Sequence, residues 1–180
     1  AVVNLVDTLA PVIPLAHQPA AAHAIASRIA DRPCAMAHAM ALRQSIIRGA
    51  TASTAQVADG LAAWITVLFD LANLQHDRAR AMATPVTVPD DDVARLKRCP
   101  RGAILAVPHI GAIELFCAHL VDRGFTVGFV FTIGADPTPT EQWLLSGRRG
   151  IGARPIPFGR RDTGAAIASI LDRGGVVLMV

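Results

Sequence analysis

The hydrophobic period of this chain changes partway along its length, and that change restricts the fold more than any other feature. From residue 85 onward, short apolar runs alternate with segments of helical character. "AILAV" at 103–107 precedes a helix expected over 112–123, and "FTVGFVF" at 125–131 precedes one over 139–149. "ARPIP" at 153–157 is followed by a helix over 163–173 and then by "VVLMV" at 176–180. Strands separated by whole helices cannot pair as hairpins and need crossover connections, so the pattern predicts βαβ units and a largely parallel sheet. A further short strand is expected at "PVTVP", 85–89, and a short helix at "DDDVARLKR", whose acids lead and whose bases trail as the helix dipole prefers.

Before that point the period is helical. "AAAHAIASRIADRP" stops at Pro33 and "CAMAHAMALRQSIIRG" at Gly49. Ser53 and Gln56 have the form of a capping box, and Val57, Leu61, Trp64, Leu68 and Leu71 recur at helical spacing, which predicts a helix over 54–74. The expected architecture is therefore α/β, a largely parallel central sheet with flanking helices, preceded by a helical N-terminal region. The expected division is a helical region at 1–84 packed on an α/β region at 85–180. The last apolar strand runs to the final residue, which leads us to expect a longer natural chain.

Composition narrows the class. With 52% apolar and 17% charged residues the chain has a core to bury and is not disordered. Cys34, Cys99 and Cys117 are odd in number and show no metal-ligand spacing, which favours a reducing, cytoplasmic compartment over a disulfide framework. Asp90, Asp91 and Asp92 diverge by about 100° each on a helix, so they read as a solvated helix start and not as a metal site. The apolar opening, "AVVNLVDTLAPVIPLA", is broken by Asp7, Pro11 and Pro14 and lacks a basic start. We therefore expect neither a membrane span nor a signal peptide, and keep open a contact with a membrane surface or a partner.

"AVPHIGAIEL", 106–115, holds the candidate chemistry. On one continuous helix His109 and Glu114 would sit about 140° apart and could not cooperate. Pro108 and Gly111 make the segment irregular, which puts His109 at the carboxyl end of a strand and Glu114 in the first turn of the next helix. Ligand sites of open parallel sheets lie at that end. A neutral imidazole there can take a proton from an attacking hydroxyl, while a carboxylate fixes its tautomer and stabilises the imidazolium. Backbone N–H groups around Gly111 are available to a developing oxyanion. The alternative is a strand-end histidine bonded to backbone beside a glutamate that favours the helix dipole.

"RGAILAVPHIGAIEL" resembles the H-x4-(D/E) block of the lysophospholipid acyltransferase superfamily, and within it the branch that is lipid A lauroyl acyltransferase-like and phosphatidylinositol mannoside acyltransferase-like. The likeness continues in order through "TVGFVF", Asp136–Pro137, Arg148 four residues before Gly152, "PIP" at 155–157 and the basic residues after it. It implies an acyltransferase that takes a fatty acyl group from acyl-CoA or acyl-ACP to a hydroxyl of a lipid or glycolipid, with no bound cofactor and no metal. His109 would be the general base and Glu114 its orienting carboxylate, with Gly111 beside the reacting centre. Arg148, Arg160 and Arg161 would bind phosphate on the acceptor or on the carrier of the donor. Partners would be the acyl thioester, the lipid acceptor, an acyl carrier protein and the inner face of the cell membrane, where the protein would be peripheral.

Two departures stand out. Thr132 and Ile133 occupy the strand end where the branch commonly has arginine, and Ala112 and Ile113 replace an asparagine or aromatic residue. They leave room for a soluble sugar or secondary-metabolite acceptor, or for a catalytically degenerate protein that binds lipid or acyl carrier. No G-x-G-x-x-G follows the first strand, which disfavours a dinucleotide enzyme. The arginines at 148, 149, 154, 160 and 161 lie in an acid-free stretch that favours anions, but they do not amount to a nucleic-acid surface.

Overall fold

The computed structural model describes residues 2–84, 86–108, 111–134 and 136–179. The chain forms two compact units, Ala1–Ala72 and Asn73–Val180.

The first unit is helical: α1 (Val2–Leu9), a 3-10 turn at Leu15–His17, α2 (Gln18–Ala30), α3 (Ala35–Arg48) and the greater part of α4 (Thr54–His76). The apolar opening of the sequence is thus a helix, with Val3 and Val6 buried on one side of it. Buried Gln18 donates to the carbonyls of Ala10 and Ile13 in the turn after α1, where Pro14 has no N–H to give the Ala10 carbonyl. Ser53 and Gln56 make both bonds of the capping box that opens α4. By length and composition α4 could cross a membrane, yet Val57, Leu61, Ile65 and Leu68 form a buried stripe at helical spacing, as in the core helix of a globular unit.

The second unit adds α5 (Arg78–Met82), α6 (Asp90–Lys97), β1 (Ala103–Ala106), α7 (Ile113–Asp122), β2 (Val127–Phe131), α8 (Pro139–Gly150), β3 (Arg154–Pro157), α9 (Thr163–Leu171) and β4 (Val176–Met179). The four strands lie in the order β1-β4-β2-β3, and every pairing is parallel. This is the α/β architecture expected from the alternation of strands and helices. β4 sits between β1 and β2, so the sheet closes only when the last strand is in place.

Helices cover both faces of the sheet over β2 and β4, as parallel sheets favour, while at edge strand β1 Ile104 stays 52% exposed. Val127, Phe129, Val176 and Leu178 pack with Leu115, Ala118 and Leu120 of α7. On the other face Val130, Ile156 and Val177 pack with Ile170 of α9. That second contact is close because position 128 is glycine: a Cβ there would lie 2.6 Å from Ile170 Cδ1. Full burial of a side chain such as Phe129 or Leu178 contributes about 1.5–3 kcal/mol.

The expected strand at "PVTVP" does not form over 86–89. Val86 and Val88 do pack against the core while Thr87 is exposed, so the alternation reflects burial without a neighbouring strand to complete a ladder. α5 is tied into the second unit by Arg78, which donates to the carbonyls of Ile151 and Ala118 and pairs with Asp122.

Candidate active site

β1 delivers the chain to the sheet's carboxyl edge, and α7 carries it back. Between them Gly111 adopts φ +71°, the left-handed region where a side chain is strained, and a Cβ placed on it would meet nothing among the described residues within 4 Å. The turn therefore calls for glycine by its backbone angle, and among the described residues the space beside it is open. α7 begins at Ile113 without a side-chain cap. Its first N–H groups have no carbonyl behind them within the helix, as at any helix start.

Glu114 lies in that first turn and is buried at 6% exposure. Its Oε1 accepts from Arg148 Nε at 3.2 Å and from Nη2 at 2.9 Å. Arg148 is equally buried, in the last turn of α8, and its guanidinium stacks 4.1 Å from the ring centre of Phe129 and 5.4 Å from that of Phe131. The two rings share one face of β2 because they are two residues apart. A buried ion pair on an aromatic floor fixes both partners, since leaving either alone would strand a charge in a low-dielectric interior.

Arg148 therefore does not stand open to solvent as a phosphate ligand would. Its fork is engaged by Glu114, and its role within the structure is to hold that carboxylate. His109, the other half of the candidate pair, lies outside the described residues.

Arg160 and Arg161 are placed differently. Both are exposed in the turn between β3 and α9, and they line an open depression of about 590 Å³ together with Ile133, Gly134, Phe158 and Asp162. Two bonds fix this turn: Thr163 Oγ1 donates to the Pro157 carbonyl at 2.7 Å and accepts from the Arg160 N–H at 3.0 Å. Phe158 continues the β2 ladder by donating to the Phe131 carbonyl, yet its ring is 60% exposed. Ile133, at the strand end where Thr132 and Ile133 depart from the arginine common in the resembled branch, thus lines the same depression as two arginines from a later loop.

Three features escaped the sequence reading. Phe129 and Phe131 were read as strand residues, and only their alternation hinted at a shared face. The Arg78 clamp links residues far apart in sequence and had no local signal. His119, on α7, has a buried Nε2 without a partner among the described residues, while the ring bonds to the backbone of Thr84. Burial lowers its pKa below 6.5, and Arg123 and Arg78 reinforce the shift against an opposing pull from Asp122.

Cys117 is one turn from Glu114 on the same helix and fully buried. Burial, reinforced by the Glu114 charge, pushes its thiol up to about 12, so it is not a nucleophile at neutral pH. Among the described residues no three His, Cys, Asp or Glu side chains gather to hold a metal ion, and Asp92 of the triple aspartate faces Arg95 at 3.6 Å. No protein-family model, curated protein or solved structure matches this chain.

Proposed function

We propose that the chain is an acyltransferase that moves a fatty acyl group from acyl-CoA or acyl-ACP to a hydroxyl of a lipid or glycolipid. The observation that carries this reading is Glu114: a carboxylate buried in the first turn of α7, just past the left-handed Gly111, and held there by Arg148. A group fixed at the carboxyl edge of a parallel sheet, beside open space, suits a positioning carboxylate.

In the proposed reaction His109 takes the proton of the acceptor hydroxyl as its oxygen attacks the thioester carbonyl. Glu114 orients the imidazole and stabilises its protonated form. N–H groups at the start of α7 stabilise the oxyanion of the tetrahedral intermediate. The C–S bond then breaks, and the imidazolium returns its proton to the departing thiolate. No protein nucleophile is needed because the thioester is already activated. Arg148 acts through Glu114, and Arg160 and Arg161 supply anion contacts for the donor's carrier or for the acceptor.

Mass spectrometry of products tests this reading. The purified protein, offered mixed acyl-CoA and acyl-ACP with a lipid extract, is expected to form an acylated lipid and free thiol in equal amounts. His109→Ala is expected to slow this by about 10²–10⁴-fold. No thioester consumption by the unaltered protein, or full activity in His109→Ala, would overturn it.

A further inference from the structure

Among the described residues Phe158 is the only aromatic side chain that the fold leaves exposed, at 60%. Its backbone extends β3 beside β2, so the ring sits at the end of an edge strand and not on a loose loop. The ring belongs to the core on neither side of the sheet. An open phenyl face held in this way is suited to stacking against a flat ring.

Three polar side chains share the depression with that ring. Arg160 and Arg161 bring two guanidinium forks, and among the described residues neither guanidinium has a hydrogen bond or an ion pair. Asp162 adds a carboxylate acceptor at the start of α9. Thr163 fixes the turn from below, so ring, forks and carboxylate are presented from a fixed backbone. A bare phosphate would use the forks alone. Ring, acceptor and forks together match base, sugar hydroxyl and phosphate, the three parts of a nucleotide. The volume, about 590 Å³, is in the range of small-molecule sites.

Position narrows the ligand further. The depression flanks the end of β3, the Gly111 turn follows β1, and β1 and β3 are the two edges of the four-stranded sheet. Three strand spacings, about 14 Å, separate them. A ligand that reaches both places needs a long arm, and coenzyme A has one in pantetheine, which holds its nucleotide well away from its thioester. We propose that the depression binds the 3′-phosphoadenosine head of coenzyme A, with adenine stacked on Phe158, phosphate on Arg160 and Arg161, and the ribose hydroxyl on Asp162. This deepens the acyl-transfer reading and rests on it for the donor, which it narrows to acyl-CoA, because an acyl carrier protein presents its pantetheine phosphate without a base.

The test is calorimetric titration of the full chain with adenosine 3′,5′-bisphosphate and, separately, with ribose 5-phosphate, which lacks the base. The bisphosphate should bind about tenfold more tightly or better. Phe158→Ala and Phe158→Leu should each weaken it about tenfold, and Phe158→Trp, which keeps a stacking face, should retain it. Arg160→Gln and Arg161→Gln should each weaken both ligands about fivefold. All three positions are exposed, and circular dichroism of each variant should match that of the unaltered chain. The proposal is overturned if the unaltered protein does not bind the bisphosphate, if ribose 5-phosphate binds as tightly, or if Phe158→Leu binds as well as the unaltered chain. Acyl transfer from acyl-ACP by a protein that ignores the bisphosphate would overturn this assignment alone. Binding at Phe158 with no thioester consumption would support the nucleotide site and overturn the acyl-transfer reading.

Discussion

Arg148 and the pair Arg160–Arg161 belong to one basic stretch of sequence, yet the fold gives them opposite environments. Arg148 is buried on the rings of Phe129 and Phe131 with its fork on Glu114, whereas Arg160 and Arg161 stand exposed around an open depression. The difference lies in what precedes each residue. Arg148 ends a helix that packs on the sheet, and the Arg160 turn is a connection held at its base by Thr163. Residue type and local charge density say that a stretch attracts anions. Only the packing says which arginine has its anion built in.

The largest expected effect breaks the buried pair. Arg148→Ala should destabilise the second unit by about 3–5 kcal/mol in urea unfolding, because Glu114 is left buried without its partner. Replacing both residues with apolar ones of similar size, Glu114→Leu with Arg148→Met, should recover most of that loss. If the single and double variants are equally unstable, the pair is not the unit described above.

Next in size is Gly111→Ala, expected to cost about 1–2 kcal/mol for placing a side chain in the left-handed region. Since a Cβ there meets no atom of the described residues within 4 Å, the variant should fold and crystallise with local change only. A markedly larger loss would show that the turn is crowded.

A smaller effect concerns His119, whose folded pKa is lowered by burial. The folded state favours the neutral ring, so its contribution is fully present above the unfolded value of about 6.5 and is lost as pH falls below it. Melting temperature should drop between pH 7.5 and 5.5, and drop less in His119→Gln.

The smallest stability effect belongs to the exposed side of the comparison. Arg160→Ala and Arg161→Ala should change unfolding free energy by no more than about 0.5 kcal/mol while raising KM for an anionic donor. A large loss of stability would place these arginines with Arg148 after all.

Much of the fold was legible because it is local. Four strands, the helices between them and the capping box at Ser53 depend on residues within a turn or two of each other. Strand order is not local: β4 enters between β1 and β2, and nothing in "VVLMV" states which neighbours it will have. The missing strand at 86–89 has the same cause, since Val86 and Val88 alternate correctly but no ladder lies beside them. In the site, an irregular turn at Gly111 and the helix-start position of Glu114 were legible from Pro108, Gly111 and the period change, while the left-handed angle of Gly111 came from the structure. The partner of Glu114 was not, because Arg148 lies 34 residues away and meets it only through packing on β2.

The most direct measurement is a double-mutant comparison of acyl-transfer rates for His109→Ala, Glu114→Gln and the two combined. If Glu114 acts through His109, each single variant should lose rate and the combination should lose little more than His109→Ala alone. Losses that multiply, or a His109→Ala variant with full activity, would contradict the account.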